Sequence, residues 1–203
     1  MEQRLKNAAE EGNIDALYAL FQENKYILQD IDQIPFVHTP LHIAASAGCT
    51  HFAVEMISLK PSFASVKVLT VRGETVVYIA TRNGSFQAFK VILGWLHKFY
   101  IQELLNWKDK DGNTEMHIAV SANQLLVLSL APFCLRAAVY LQFLLMVVEL
   151  LINNKADKVA TNWEGKTALD SSEPNEEVRN ILVRAGASKA SFPPKLTKVW
   201  HIL

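Results

Sequence analysis

Apolar residues recur along this chain at helical spacing, in bursts separated by polar turns. Leu5, Ala8, Ala9, Ile14, Leu17 and Leu20 form the first burst, broken at Gly12. Phe52, Ala53, Met56 and Ile57 follow Gly48, and Phe86, Phe89, Ile92 and Leu93 follow Gly84. Val147, Val148, Leu150 and Leu151 form a fourth burst. Val178, Ile181 and Leu182 form a fifth, which runs into Ala185-Gly186-Ala187. Spacings of three and four place each set on one face of a helix. Short amphipathic helices that return at regular intervals predict an all-α repeat array. In the opening segment Glu2, Arg4, Lys6, Glu10 and Glu11 give an outer face that is charged, as a terminal capping unit needs.

A short motif marks the start of each unit. Thr39-Pro40-Leu41-His42-Ile43-Ala44-Ala45 matches the ankyrin signature T-P-L-H-x-A over its full length. Weaker copies are Thr75-Val76-Val77-Tyr78-Ile79-Ala80, Thr114-Glu115-Met116-His117-Ile118-Ala119 and Thr167-Ala168-Leu169-Asp170. Steps of 36, 39 and 53 residues separate Thr39, Thr75, Thr114 and Thr167, against a bare period of about 33. Each Thr is suited to cap a helix through its hydroxyl. Pro40 fits the first helical position, where no N–H is needed. Glu115 takes that place in a later copy, where its charge suits the positive helix end. Ala44, Ala80 and Ala119 allow close approach of neighbouring units. Gly73, Gly112 and Gly165 each precede a Thr by two residues and predict tight turns with positive φ, whereas Val37 stands at that place in the first copy. His42 and His117 occupy matching positions and are expected to bond across to a neighbouring turn.

The expected fold is an all-α ankyrin-repeat solenoid of about five helix-turn-helix units. The array covers 1–190, in units of about 1–33, 34–69, 70–108, 109–161 and 162–190, with a short tail at 191–203. The fourth unit carries an apolar helical insert at 125–146.

Four stretches carry a closer resemblance. They are Leu5-Lys6-Asn7-Ala8-Ala9-Glu10-Glu11-Gly12-Asn13-Ile14-Asp15-Ala16-Leu17-Tyr18, Phe36 through Gly48, Val71-Arg72-Gly73-Glu74-Thr75, and Leu105-Asn106-Trp107-Lys108-Asp109. Together they resemble the plant ankyrin proteins of the "bian da" and accelerated-cell-death type. The resemblance implies a protein-binding array followed by a multi-pass membrane segment, the PGG domain, and a role in innate immune signalling at the plasma membrane. The expectation for this chain is a shortened form, because it ends at Leu203 soon after Pro193-Pro194, where such relatives would place that segment. The array also reads as shortened around Ala64 to Leu69.

The 22 residues from Leu125 to Met146 account for the long fourth step. Without them that step would be 31 residues, close to the bare period of about 33. Their length admits a membrane crossing. Pro132 and Arg136 lie near the middle, and an Arg there costs roughly 2.5–3.5 kcal/mol on insertion. Topology argues against a crossing, since it would part the two helices of one unit. The favoured reading is an additional helix, or an extended second helix, laid on the array. An altered transcript is the third reading.

Composition narrows the function. Twenty cationic and twenty anionic side chains give a formal net charge of zero, so no global field draws the chain to nucleic acid. Cys49 and Cys134 are the only cysteines. They form neither a disulfide framework nor a zinc pattern, which points to the cytoplasm. The cytosolic face of the plasma membrane is the alternative that the resemblance brings. No secretory leader, myristoylation site or prenylation cysteine is expected at the ends. No phosphate loop, dinucleotide fingerprint or nucleophile elbow occurs. His38, His51, His97 and His201 make no ligand spacing with His42 and His117. The expectation is therefore no enzyme, no cofactor, no metal, no small-molecule substrate and no nucleic acid.

The remaining candidate is a surface for another protein, built from turn tips and first helices. The tips hold Pro35 and Phe36, Val71 and Arg72, Lys110 and Asp111, and Trp163 and Glu164. His38, Glu74, Asn113 and Lys166 precede each Thr. Phe36, Arg72 and Trp163 lead this set, because aromatic residues and Arg dominate interface energetics. The competing reading packs Phe36 and Trp163 on their own hairpins. A membrane-tethered protein anchored through 125–146, and a truncated form without independent activity, are the alternatives to an adaptor.

Overall fold

Small polar side chains set where the helices of this chain begin. The computed structural model describes residues 3–29, 31, 38–64, 68–100, 102–129, 135–172 and 175–190, with backbone alone at 123–129 and 135–141. Among these residues the helices are α1 (Gln3–Glu11), α2 (Ile14–Glu23), α3 (Pro40–Ala47), α4 (Thr50–Leu59), α5 (Val76–Arg82), α6 (Phe86–Lys98), α7 (Glu115–Ser129), α8 (Leu135–Asn153) and α9 (Glu176–Arg184). No strand occurs among them beyond one isolated bridge, Thr161 to Thr167. Thr39 caps α3 by accepting from His42 N–H, with Pro40 at the first helical position. Thr75 caps α5 through Tyr78 N–H at 3.2 Å. Asn13 and Asn175 cap α2 and α9 in the same way. Each such side chain satisfies a backbone donor that the first turn leaves unpaired.

The helices pair and stack as the repeat signature predicts. α1 packs on α3, α3 on α5 and α5 on α7, which makes one row of first helices. α4 packs on α6, and α8 on α9. One hydrophobic core runs through the stack from Leu5 to Leu182. Phe52, Phe63 and Phe89 are among its largest fully buried side chains, each contributing about 1.5–3 kcal/mol by leaving water. Ala44, Ala80 and Ala119 are fully buried in the first-helix row, at the positions where close approach was expected. In the fifth unit the first helix shrinks to one 3₁₀ turn, Asp170–Ser172. There Thr167 and Asp170 cap each other: Asp170 N–H donates to Thr167 Oγ1 at 3.3 Å, and Thr167 N–H to Asp170 Oδ2 at 2.9 Å.

The apolar insert is shared between two helices. α7 has 15 residues and α8 has 19, against 8 in α3 and 7 in α5. Residues 125–129 thus extend the first helix of the unit and 135–146 extend the second, rather than building an additional helix or the second alone. An unbroken apolar run gives α7 no reason to stop until it nears Pro132, which lacks an N–H and disfavours helix in the residue before it. Stacking survives on both sides. α7 packs on α5 and on the 3₁₀ turn of the fifth unit. Phe143 of α8 meets Phe86 of α6 edge-on at 5.4 Å. Among the described residues no helix is long and apolar enough to cross a membrane.

Three hairpins project from the stack with one design. Each starts on a residue five before its Thr: Thr70, Asp109 and Asn162. That side chain accepts two backbone N–H bonds from the turn. Asp109 Oδ1 takes Asp111 N–H at 2.9 Å and Asn113 N–H at 2.7 Å. Asn162 Oδ1 takes Glu164 and Lys166 N–H, each at 3.0 Å. Thr70 Oγ1 takes Arg72 and Glu74 N–H, each at 3.3 Å. Gly73, Gly112 and Gly165 follow the tips at φ 72°, 79° and 74°, as the spacing predicts. Gly112 is constrained twice, because a Cβ there would lie 2.6 Å from both the ring and the backbone nitrogen of Trp163.

Buried polar groups tie unit to unit. Tyr78 O–H donates to Asp109 Oδ2 at 2.6 Å, from α5 to the next hairpin. His117 Nε2 donates to Lys166 O at 2.9 Å, one unit further on. Glu115 corrects its sequence expectation. Instead of offering a free charge to the helix end, it is buried at 3% exposure and accepts from the Thr81 hydroxyl of α5. Burial pushes its carboxyl up to about 7, against the Thr81 bond, which pulls it down.

Two stability predictions follow from this packing. The folded state holds the Glu115 proton more tightly than the unfolded chain, so its contribution is full below about pH 4.5 and is lost as pH rises through about 7. Buried His42 and His117, both shifted down, act in the opposite sense. The expected result is that Glu115→Gln gains on the wild type by on the order of 2 kcal/mol between about pH 5 and about pH 8. Urea unfolding at each pH measures it, and parallel curves would remove the buried acid from the account. Gly112→Ala should lose about 2–4 kcal/mol through positive φ and overpacking. Gly186→Ala is the control, because Gly186 has φ 85° with open space around it, and it should lose only about 1 kcal/mol.

Candidate binding face

The hairpin tips are joined edge to edge. Lys110 N–H donates to Arg72 O at 3.0 Å, and Trp163 N–H donates to Asp111 O at 3.1 Å. Asn162 Nδ2 adds a bond to Asn113 Oδ1 at 3.1 Å. Backbone hydrogen bonding therefore fixes the spacing of the tips, and their side chains become a strip with a set order. Arg72, Lys110, Asp111, Trp163, Glu164 and Lys166 are all exposed on it. Trp163 keeps 66% of its surface exposed while resting on Gly112 of the preceding hairpin. Its packing is thus between hairpins rather than on its own. Lys108 Nζ stands 4.8 Å from the ring centroid and donates to Thr161 O at 2.6 Å.

Charges on the strip pair loosely. Lys166 and Glu164 approach to 2.8 Å. The hydrogen bond from Lys166 holds the Glu164 carboxyl below its ordinary range, and Glu164 raises the Lys166 ammonium in return. Lys110 and Asp111 lie 3.9 Å apart. Both pairs face water, where such contacts contribute little to stability. They remain free to exchange partners.

Other predicted contacts fall elsewhere. Glu74 is the clear correction. It is 2% exposed, ion-paired to Arg82 and bonded by the Thr70 hydroxyl at 3.1 Å. Its place just before Thr75 turns the carboxylate inward, because Arg82 on α5 is there to receive it. Asn113 is half-buried, with its amide donating to Asp109. Phe36 lies outside the described residues. His38 is exposed and stands apart from the tip strip. It borders a groove of about 540 Å³ that crosses α1, α3 and α5 and is also lined by Lys6, His42, Ser46 and Arg82.

Ser46, Arg82 and Lys108 are residues at this face that sequence reasoning passed over, and Lys6 was read only as part of the charged cap. A register signal exists for two of them. Ser46 and Arg82 both fall seven residues after a capping Thr, on the open side of the first helix. The hairpin acceptors Thr70, Asp109 and Asn162 were also legible, as a polar residue three before each tip glycine. Among the described residues no group of three or more His, Cys, Asp or Glu is placed to hold a metal ion.

Comparison with known proteins agrees with this geometry. The ankyrin-repeats family model matches residues 5–101 in three copies. The chain is 26% identical to the Ankyrin repeat-containing protein BDA1 of Arabidopsis thaliana, over 92% of this chain and 57% of that protein. The match extends over 264 positions, more than the 203 residues of this chain. The relative therefore carries sequence within the matched region that this chain does not. Ankyrin repeats are protein-interaction modules. With three matched repeats and two further units stacked on them, the chain folds as an ankyrin-repeat solenoid, similar over most of its length to this plant relative.

Proposed function

We propose that this chain is a non-catalytic adaptor, which holds a segment of a partner protein along its hairpin tips and first-helix groove. The observation that carries this reading is the tied tip strip. Its backbone is rigidly spaced, yet it leaves Arg72, Trp163 and two loosely paired charge couples open to solvent. Preformed surfaces that present Arg and an aromatic ring need little ordering on binding. Lys110, Asp111, Glu164 and Lys166 frame those two anchors, and Asn113 holds the strip in register. His38 borders the first-helix groove, and by sequence register Phe36 is the tip position of the second unit. A place in plant defence signalling is the finer part of the proposal. Its support is the resemblance to plant ankyrin proteins of the "bian da" type and the 26% identity to BDA1, of which this chain spans 57%. The working compartment in this reading is the cytosol, or the cytosolic face of the plasma membrane.

The test is site-specific capture from a plant cytosolic extract. A photo-cross-linking residue at Lys110 should yield a protein adduct, while the same residue at Lys90, exposed on α6, should yield none. Arg72→Ala and Trp163→Ala should each lower recovery by about tenfold, as anchor residues do. Equal adducts from both positions, or full recovery with both variants, would sink the tip strip as the binding surface.

A further inference from the structure

The two signature histidines are held alike but end differently. Thr114 N–H donates to His117 Nδ1 at 3.2 Å, so Nδ1 is the acceptor and the ring proton sits on Nε2. That Nε2–H reaches Lys166 O at 2.9 Å. In α3 the Thr39 hydroxyl accepts from His42 N–H and lies 2.8 Å from His42 Nδ1. By the register it shares with His117, the Thr39 hydroxyl proton is assigned to Nδ1, which leaves the ring proton on Nε2. Yet His42 Nε2 has no hydrogen-bond partner among the described residues, in a ring that is 0% exposed. A buried donor left unpaired is costly, because it has given up its bond to water and gained none in return.

The surroundings of that donor have a definite chemistry. His42 lines the groove over α1, α3 and α5, where Ile43 and Ile79 supply apolar surface. Lys6 and Arg82 bring cations from α1 and α5, and Glu10 of α1 lines the same groove. Lys6 is 3.6 Å from exposed Glu10, one helical turn away, a contact that water screens. Arg82 is held by buried Glu74 and lies against the Tyr78 ring. Exposed His38 stands next to His42, ring centroids 6.2 Å apart.

We propose that this groove is a subsite for an Asp or Glu side chain of the partner polypeptide, flanked by an aliphatic residue. The carboxylate accepts the His42 Nε2–H once the exposed His38 ring swings aside. Lys6 and Arg82 complement its charge, and the aliphatic neighbour lies against Ala47 and the edge of Ile43. Burial holds the His42 ring down to about 3, with His38 adding to the effect, so the ring stays a neutral donor across the physiological range. The inference rests on the reading of this face as a protein-binding one, and it adds the chemistry of the segment bound.

Two amidated, acetylated pentapeptides test it, Ala-Leu-Glu-Leu-Ala and its Gln counterpart, titrated into the isotope-labelled full chain. The Glu peptide should shift the Ser46 and Ile79 amides and move the His42 Nε2–H signal downfield with slower exchange. The Gln peptide should bind at least about tenfold more weakly, the usual margin for a charge-assisted bond. Ser46→Glu, at an exposed helix position, puts a carboxylate in the groove and should abolish the shifts in a chain whose unfolding midpoint is unchanged. Lys6→Ala should weaken the Glu peptide alone. Equal binding of both peptides, binding of neither, or indifference to Ser46→Glu overturns the subsite. Shifts confined to Lys110 and Trp163 would overturn it while leaving the tip strip standing as the binding surface.

Discussion

The stack of this protein depends on buried polar groups at its unit boundaries that find their partners in the next unit. A solenoid unit touches only its neighbours, so no distant contact can compensate for a poor boundary. Tyr78 reaches Asp109, Thr81 reaches Glu115 and His117 reaches Lys166 O. Lys110 and Trp163 add backbone bonds at the tips. These ties fix the rotation of one unit on the next more sharply than apolar packing does, because hydrogen bonds are directional and core contacts are not. Asp109 is the busiest of them. One carboxylate oxygen closes its own hairpin and the other receives the preceding unit, so turn geometry and stacking are set by a single side chain.

The same rule explains how the fourth unit absorbs 22 extra, mostly apolar residues. They enter where α7 meets α8, at the far end of the unit from its hairpin. Met116, Ala119 and Val120 still pack at the start of α7, and Val147, Val148 and Leu151 at the end of α8. The boundary bonds all lie at the hairpin end and are untouched. Extension away from the ties is tolerated, whereas one Cβ at Gly112 would strike the neighbouring tip.

The binding face divides into two parts with different physics. From the third unit to the fifth it is a strip of exposed tips, rigid in backbone and loose in side-chain pairing. From the first unit to the third it is a groove, apolar at Ile43 and Ala47 and bordered by Lys6, Arg82 and Glu10. Arg82 belongs to both through its bond to Glu74, which sits within the hairpin of the third unit.

The sequence by itself determined the class of fold. A capping Thr, a helix-starting Pro and a turn glycine act over a few residues, so their spacing reports helix starts and tips without knowledge of neighbours. That is why Thr39, Thr75, Thr167 and the tips 71–72, 110–111 and 163–164 fall where the pattern puts them. It also located the surplus in the fourth unit. Only the tertiary structure decided which side chains face inward. Glu74 and Glu115 read as surface charges because burial depends on what the adjacent unit offers, here Arg82 and Thr81. Trp163 read either as a partner contact or as packed on its own hairpin, and the adjoining Gly112 made it a contact between hairpins. His42 and His117 are indistinguishable by register, yet only one finds a carbonyl in the next turn. Local chemistry repeats along this chain, while the partner across each boundary does not.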